Sequence, residues 1–130
     1  MKRVVLDTSA YCYAMRGDPT IVAVLRRAEK ILLPAIVIGE LLAGFRIGTK
    51  EGKNREQLLT FLQTDRISVV DVTTETADFY AFVVNMLKTT GKPIPTNDIW
   101  IAACALEHGS RLLTLDKHFR NVDGLFILPE

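Results

Sequence analysis

The chain predicts an α/β/α sandwich: a single domain around a mostly parallel central sheet of four to five strands. Three observations carry that prediction. Short apolar, β-branched runs alternate with longer helical patterns along the whole length. With 130 residues and 48% hydrophobic content, the chain is long enough for one real core and short for two. No repeat, low-complexity tract or linker divides it, so residues 1–130 read as one domain.

Lys2 to Leu6 is the first strand, and Thr8 to Met15 a helix interrupted by "RGDPT". Asp18 caps a second helix, expected to run to about Lys30, with Pro19 at its first position. Ile31 to Leu33 makes the second strand; Pro34 then opens a helix over "AIVIGELLAGFRIG" that Gly48 ends. Leu58, Leu59, Phe61 and Leu62 form the apolar stripe of a fourth helix, and Ile67 to Val72 is the third strand. Thr73 or Thr74 caps a helix through about Lys88, which Gly91, Pro93 and Pro95 break. "TNDIWIAACALEHG" is a compact apolar helix stopped by Gly109, followed by a strand over Leu112 to Leu115. Leu125 to Leu128 closes the sheet as an edge strand.

The formal net charge of +1 counts against strong nonspecific nucleic-acid binding by the whole surface, while leaving room for a local basic rim. No secretory signal pattern and no apolar run of transmembrane length is present. Cys12 and Cys104 lie far apart and in no metal-ligand pattern, which fits a reducing cytoplasm.

Four carboxylates occupy awkward places. Asp7 and Asp116 each follow a buried-looking strand, where ligands bind in sheets of this kind. Either is also explained as a helix N-cap. Glu40 lies among apolar residues and glycines in a helix whose circumference reads as buried, where an ionised side chain needs a partner. Asp98 opens the "NDIWIAACAL" helix, where negative charge is favoured, yet Thr96 and Asn97 can already cap it. Below it Ala102 and Ala105 leave a small face that lets the helix approach the sheet. Four acids in one cleft repel, and a hard divalent ion such as Mg²⁺ or Mn²⁺ is their natural partner. His108 and His118 read as isolated, so nothing suggests zinc.

In their order, Asp7-Thr8-Ser9, Glu40 within "PAIVIGELLAGF", and Asp98 and Asp116 within "NDIWIAACALEHGSRLLTLDKHF" resemble PIN-domain ribonucleases, and among them the VapC toxins of type II toxin–antitoxin systems. The resemblance spans essentially the whole chain. It implies a Mg²⁺- or Mn²⁺-dependent endoribonuclease, with Asp7, Glu40, Asp98 and Asp116 as the acidic metal site. Asp7 and Asp98 would be principal ligands, Asp116 and Glu40 would complete the shell partly through water, and Thr8, Ser9 and Thr114 would orient them. It further implies an RNA substrate, a VapB-like antitoxin lying over the cleft and a homodimer; the near-neutral charge and the lack of a transmembrane-length run point to no membrane partner.

Arg46, Lys50, Lys53 and Arg55, and separately Lys117 and Arg120, are candidates to contact the RNA backbone. Trp100 and Tyr11 could stack on a base or sit in the core. Leu58, Leu59, Phe61 and Leu62, with Phe79, Phe82 and Val83, would either form contact surfaces or pack on the sheet. Two rivals are weighed. An aspartyl-phosphate enzyme of the dehalogenase type needs a second acid where Ser9 stands. A non-catalytic binding module would use the acids to hold a structural ion or a partner's arginine.

Overall fold

The computed structural model describes residues 2–130. The chain runs β1 (Arg3–Leu6), α1 (Thr8–Met15), α2 (Pro19–Arg27), β2 (Lys30–Pro34), α3 (Ala35–Ile47) and α4 (Glu51–Leu62). It continues through β3 (Ile67–Val70), α5 (Thr74–Thr90), α6 (Thr96–Glu107), β4 (Arg111–Leu113), a 3₁₀ turn (Lys117–Asn121) and β5 (Ile127–Leu128). The five strands form one sheet in the order β3-β2-β1-β4-β5, and every pairing is parallel. Val4, Val5 and Leu6 of β1, Ile31, Leu32 and Leu33 of β2, and Leu112 and Leu113 of β4 are all buried, as a sheet covered on both faces requires.

Right-handed crossovers place α1 to α4 on one face and α5 and α6 on the other, because the chain's direction across the sheet reverses after β3. The chain leaves β1 first towards β2 and returns later on the opposite side as β4. The crevice beyond the carboxyl ends of β1 and β4 is therefore the topological switch point, where such folds bind ligands.

Local chemistry sets the helix ends. Asp18 accepts from the Thr20 and Ile21 amides, at 3.0 and 3.1 Å, and caps α2. That helix stops at Arg27, short of the expected Lys30. The Arg66 guanidinium takes the carbonyls of Leu25 and Ala28, at 2.8 and 2.5 Å, while Lys30 already pairs with Arg3 in the sheet. A reciprocal Thr73–Thr76 capping box starts α5, and Gly91 ends it at φ 67°, a left-handed conformation that glycine adopts without strain.

One packing expectation is corrected by the structure, and another resolves towards the core. The apolar circumference of α3 does not make it a buried helix: only Val37 and Leu41 are fully covered, and Ile47 is 87% exposed. The helix packs along one side on α1, α4 and α6, leaving apolar surface outward. Aromatic candidates for base stacking are engaged within the protein. Tyr11 is buried edge-on to Phe61 (5.3 Å), and Trp100 stacks on Tyr80 (4.1 Å). Leu58 and Val83 lie in the core, whereas Leu59 and Phe82 remain exposed. Among the described residues no helix is long and apolar enough to cross a membrane.

Candidate active site

Asp7 extends β1 by one residue, its amide still donating to the Leu113 carbonyl of β4 (3.2 Å). Its carboxylate is buried. Oδ1 accepts from the Ala10 amide (2.9 Å) and the Ser9 hydroxyl (3.0 Å), and Oδ2 accepts a short hydrogen bond from the Thr114 hydroxyl. Asp7 is thus both the N-cap of α1 and a cleft residue, so the capping and functional readings are not alternatives.

Asp116 repeats the pattern after β4. Its Oδ1 accepts from the His118 amide (2.9 Å) and caps the 3₁₀ turn, while its own amide donates to Thr114 Oγ1 (2.9 Å). Thr114, itself buried, therefore ties the two strand-end acids together. Thr114→Val keeps the shape and removes both bonds. The expected loss is about 1–3 kcal/mol of stability, read as a lower urea midpoint. An unchanged midpoint would show that this hydroxyl does not hold the site.

Glu40 comes from α3 and is half-buried. Thr8 Oγ1 donates to Oε1 (2.6 Å), and Asn97 Nδ2 reaches Oε2 (3.4 Å). Side chains at the starts of α1 and α6 thus engage both oxygens of a carboxylate on a third helix. Asp98 sits in the first turn of α6. The helix can bring it over the strand ends because Ala102 and Ala105 are fully buried beneath it. One ligand atom each from Asp98, Asp116 and His118 lies within 4.8 Å of the others.

The electrostatics of the crevice follow from burial and from the closeness of its acids. Burial first, then the charges of Asp116, Glu40 and Asp7, push the Asp98 carboxyl up to about 6, with His118 opposing. Burial also raises Asp7, with a smaller push from Asp116, against the hydrogen bonds from Thr114, Ala10 and Ser9. In both acids burial leads and a neighbouring carboxylate's charge adds to it, as close gathering of like charges in a crevice requires.

The structure brings Asp7, Glu40, Asp98 and Asp116 to one crevice, and Thr8, Ser9 and Thr114 each donate to one of these acids. Lys117 and Arg120 line a cavity of about 110 Å³ together with Asp116. Arg46 and Arg55 line a separate cavity of about 700 Å³ between α3 and α4, where Arg46 pairs with Glu51 (3.8 Å). Along α3, Arg46 lies about 9 Å beyond Glu40. Lys50 and Lys53 are exposed on the same hairpin and line neither cavity.

Two site residues were not legible as such. His118 is not isolated: its Nδ1 lies 3.0 Å from Asp116 Oδ1. The Asp-x-His spacing, within reach of an Asx turn, was the available signal. Asn97 does not cap α6. Pro95 occupies the cap position without a side-chain bond, and Asn97 turns to Glu40 instead.

Residues 4–125 match the PIN domain family model. The chain is similar to Ribonuclease VapC1 of Haemophilus influenzae strain R2866, 31% identical over 127 residues and covering 92% of each chain. Ribonuclease VapC4 of Mycobacterium tuberculosis is 26% identical, over 92% of this chain and 90% of its own. In fold it resembles VapBC2 from Rickettsia felis, solved bound to a promoter DNA fragment, with a TM-score of 0.84, 25% identity and 96% of each chain covered. A parallel sheet with acids at its switch point thus agrees with a match along nearly the whole chain, which belongs to the PIN domain family.

Proposed function

We propose that this chain is the toxin of a VapBC-type pair, an endoribonuclease that hydrolyses RNA phosphodiester bonds with Mg²⁺ or Mn²⁺. The observation that carries this is the convergence of four carboxylates at the switch point: Thr114 joins Asp7 to Asp116, Asp98 lies beside Asp116, and Thr8 and Asn97 hold Glu40 against the same helix starts. Such a donor set is all oxygen and electron-rich, and it fits a hard divalent ion. Asp7, Asp98 and Asp116 would hold the ion, with Glu40 completing the shell. When bound, the ion supplies electrostatic stabilisation of the phosphate and acidifies an attacking water.

The chain's own groups do the rest. Thr114 and Ser9 fix the Asp7 carboxylate, and Thr8 with Asn97 fixes Glu40, so little reorganisation is needed when substrate arrives. Glu40, held by Thr8 and Asn97, would take the proton of the attacking water. The expected products carry a 5′-phosphate and a 3′-hydroxyl.

Lys117 and Arg120, beside Asp116, would hold the RNA backbone nearest the cut, and the α3–α4 hairpin with Arg46, Lys50, Lys53 and Arg55 would track it further out. Replacing Lys117 and Arg120 together by alanine is expected to raise KM several-fold, leave kcat close to wild type and flatten the salt dependence of KM by about one to two charges. An unchanged salt slope would remove them from the substrate path.

The solved VapBC complexes support a VapB-like antitoxin as partner; in this proposal it acts in the cytoplasm by covering the acidic crevice. The outward apolar residues Ile47, Leu59 and Phe82 offer surface for that contact and for a homodimer. The test of activity is incubation of antitoxin-free protein with a mixed cellular RNA pool, with Mg²⁺ or Mn²⁺ and with EDTA. Discrete cuts that need metal and leave 5′-phosphates are expected. Cleavage that persists in EDTA, or ends in cyclic phosphates, would contradict the proposal. Metal binding without any cleavage would favour the non-catalytic binding module.

A further inference from the structure

The last turn of α6 holds a second cluster, about 14 Å along the helix from Asp98. Cys104, Glu107 and His108 are spaced i, i+3 and i+4, which puts them on one helix face. One ligand atom from each lies within 4.8 Å of the other two, and His108 Nε2 is 3.6 Å from Glu107 Oε1. Cys104 is buried, while the side chains of Glu107 and His108 are 15% and 29% exposed.

Glu107 is short of positive charge. Its one hydrogen-bond donor is the hydroxyl of Thr76, from α5, at 2.7 Å. Among the described residues no lysine or arginine pairs with it. A largely covered carboxylate held by one neutral donor and an imidazole has room for a further cation. The donor set decides which one: a thiol sulfur, an imidazole nitrogen and a carboxylate oxygen select a zinc-type ion over magnesium.

We infer that Cys104, Glu107 and His108 form a second metal site, distinct from the acidic crevice, for a zinc-type transition ion. Tetrahedral coordination at zinc bond lengths sets ligand atoms about 3.3–3.8 Å apart, within side-chain adjustment of the observed spacing. Thr76 supports Glu107 from outside the coordination sphere, and solvent fills the fourth position on the partly exposed side. The thiol proton leaves to solvent as the ion binds, and no other bond changes. The ion links α5, through Thr76, to the far end of the helix that presents Asp98.

The test is a Co²⁺ titration of the full-length chain, reduced, with excess Mg²⁺ present to occupy the acidic crevice. One equivalent of Co²⁺ is expected to give a near-ultraviolet thiolate-to-cobalt charge-transfer band that Zn²⁺ displaces. The crevice contains no cysteine and cannot produce that band. It should vanish in Cys104→Ala and in His108→Gln, and persist in Cys12→Ala and Asp98→Asn. His108 is partly exposed, so the His108→Gln variant tests the site without opening the core. In parallel, Zn²⁺ should raise the Tm of Asp98→Asn but not of Asp98→Asn combined with His108→Gln. A missing band in the wild type, or one that survives Cys104→Ala, would overturn the inference whether or not the protein cleaves RNA.

Discussion

Asp98→Asn is expected to lower RNA cleavage by more than about 100-fold and, at neutral pH without metal, to make the protein more stable than wild type. The loss of activity follows from removing a ligand charge, an effect at least as large as losing a group that only orients a ligand. The gain in stability follows from linkage. The Asp98 carboxyl sits at about 6 in the folded protein against an ordinary 3.8, so the folded state holds this proton more tightly than the unfolded chain. The corresponding stabilisation is complete below pH 3.8 and disappears as pH rises through about 6. Two units correspond to about 3 kcal/mol, which solvent screening at a partly exposed carboxyl reduces to about 1–2 kcal/mol. Urea unfolding of the metal-free proteins at pH 4.5 and 7.5 reads this directly. Wild type should weaken between the two, and Asp98→Asn should weaken less. Equal pH dependence would mean that the four acids do not strain one another.

Asp7→Ala is expected to remove activity and also cost about 2–3 kcal/mol of stability. Its carboxylate caps α1 through the Ala10 amide and accepts the hydroxyls of Ser9 and Thr114. Alanine loses the cap and leaves a buried Thr114 hydroxyl short of a partner. Relief of repulsion with Asp116 offsets part of this. Asp7→Asn separates the two roles, since asparagine is as good an N-cap as aspartate. That variant should recover most of the stability and none of the activity. Full stability in Asp7→Ala, or cleavage by Asp7→Asn, would refute the double role.

The placement of Asp7 and Asp116 was legible because a parallel sheet dictates where a residue after a strand must lie. The order of the strands, and with it the switch point beyond β1 and β4, was not written in any local pattern; alternation with helices implied only a parallel sheet with ligands beyond the carboxyl ends of its strands. Glu40 was singled out for a burial that α3 does not have. It joins the site because Thr8 and Asn97 converge on it from two other helices, which only tertiary structure brings together. Asn97 was hidden for the same reason, since "TN" before a helix reads as capping. His118 escaped notice because a histidine two residues after an aspartate matters only once the chain turns there. Cys104 looked inert when judged by cysteine spacing alone. The i, i+3, i+4 pattern with Glu107 and His108 acquires meaning from the helix.

If these four carboxylates make one divalent-metal site, a Mn²⁺ titration of wild type and Asp98→Asn, followed by the shift in Tm, separates the two proteins. The wild type should start as the less stable protein and rise with Mn²⁺, while Asp98→Asn should start higher and respond weakly. Equal shifts in the two proteins, or no shift in the wild type, would contradict it.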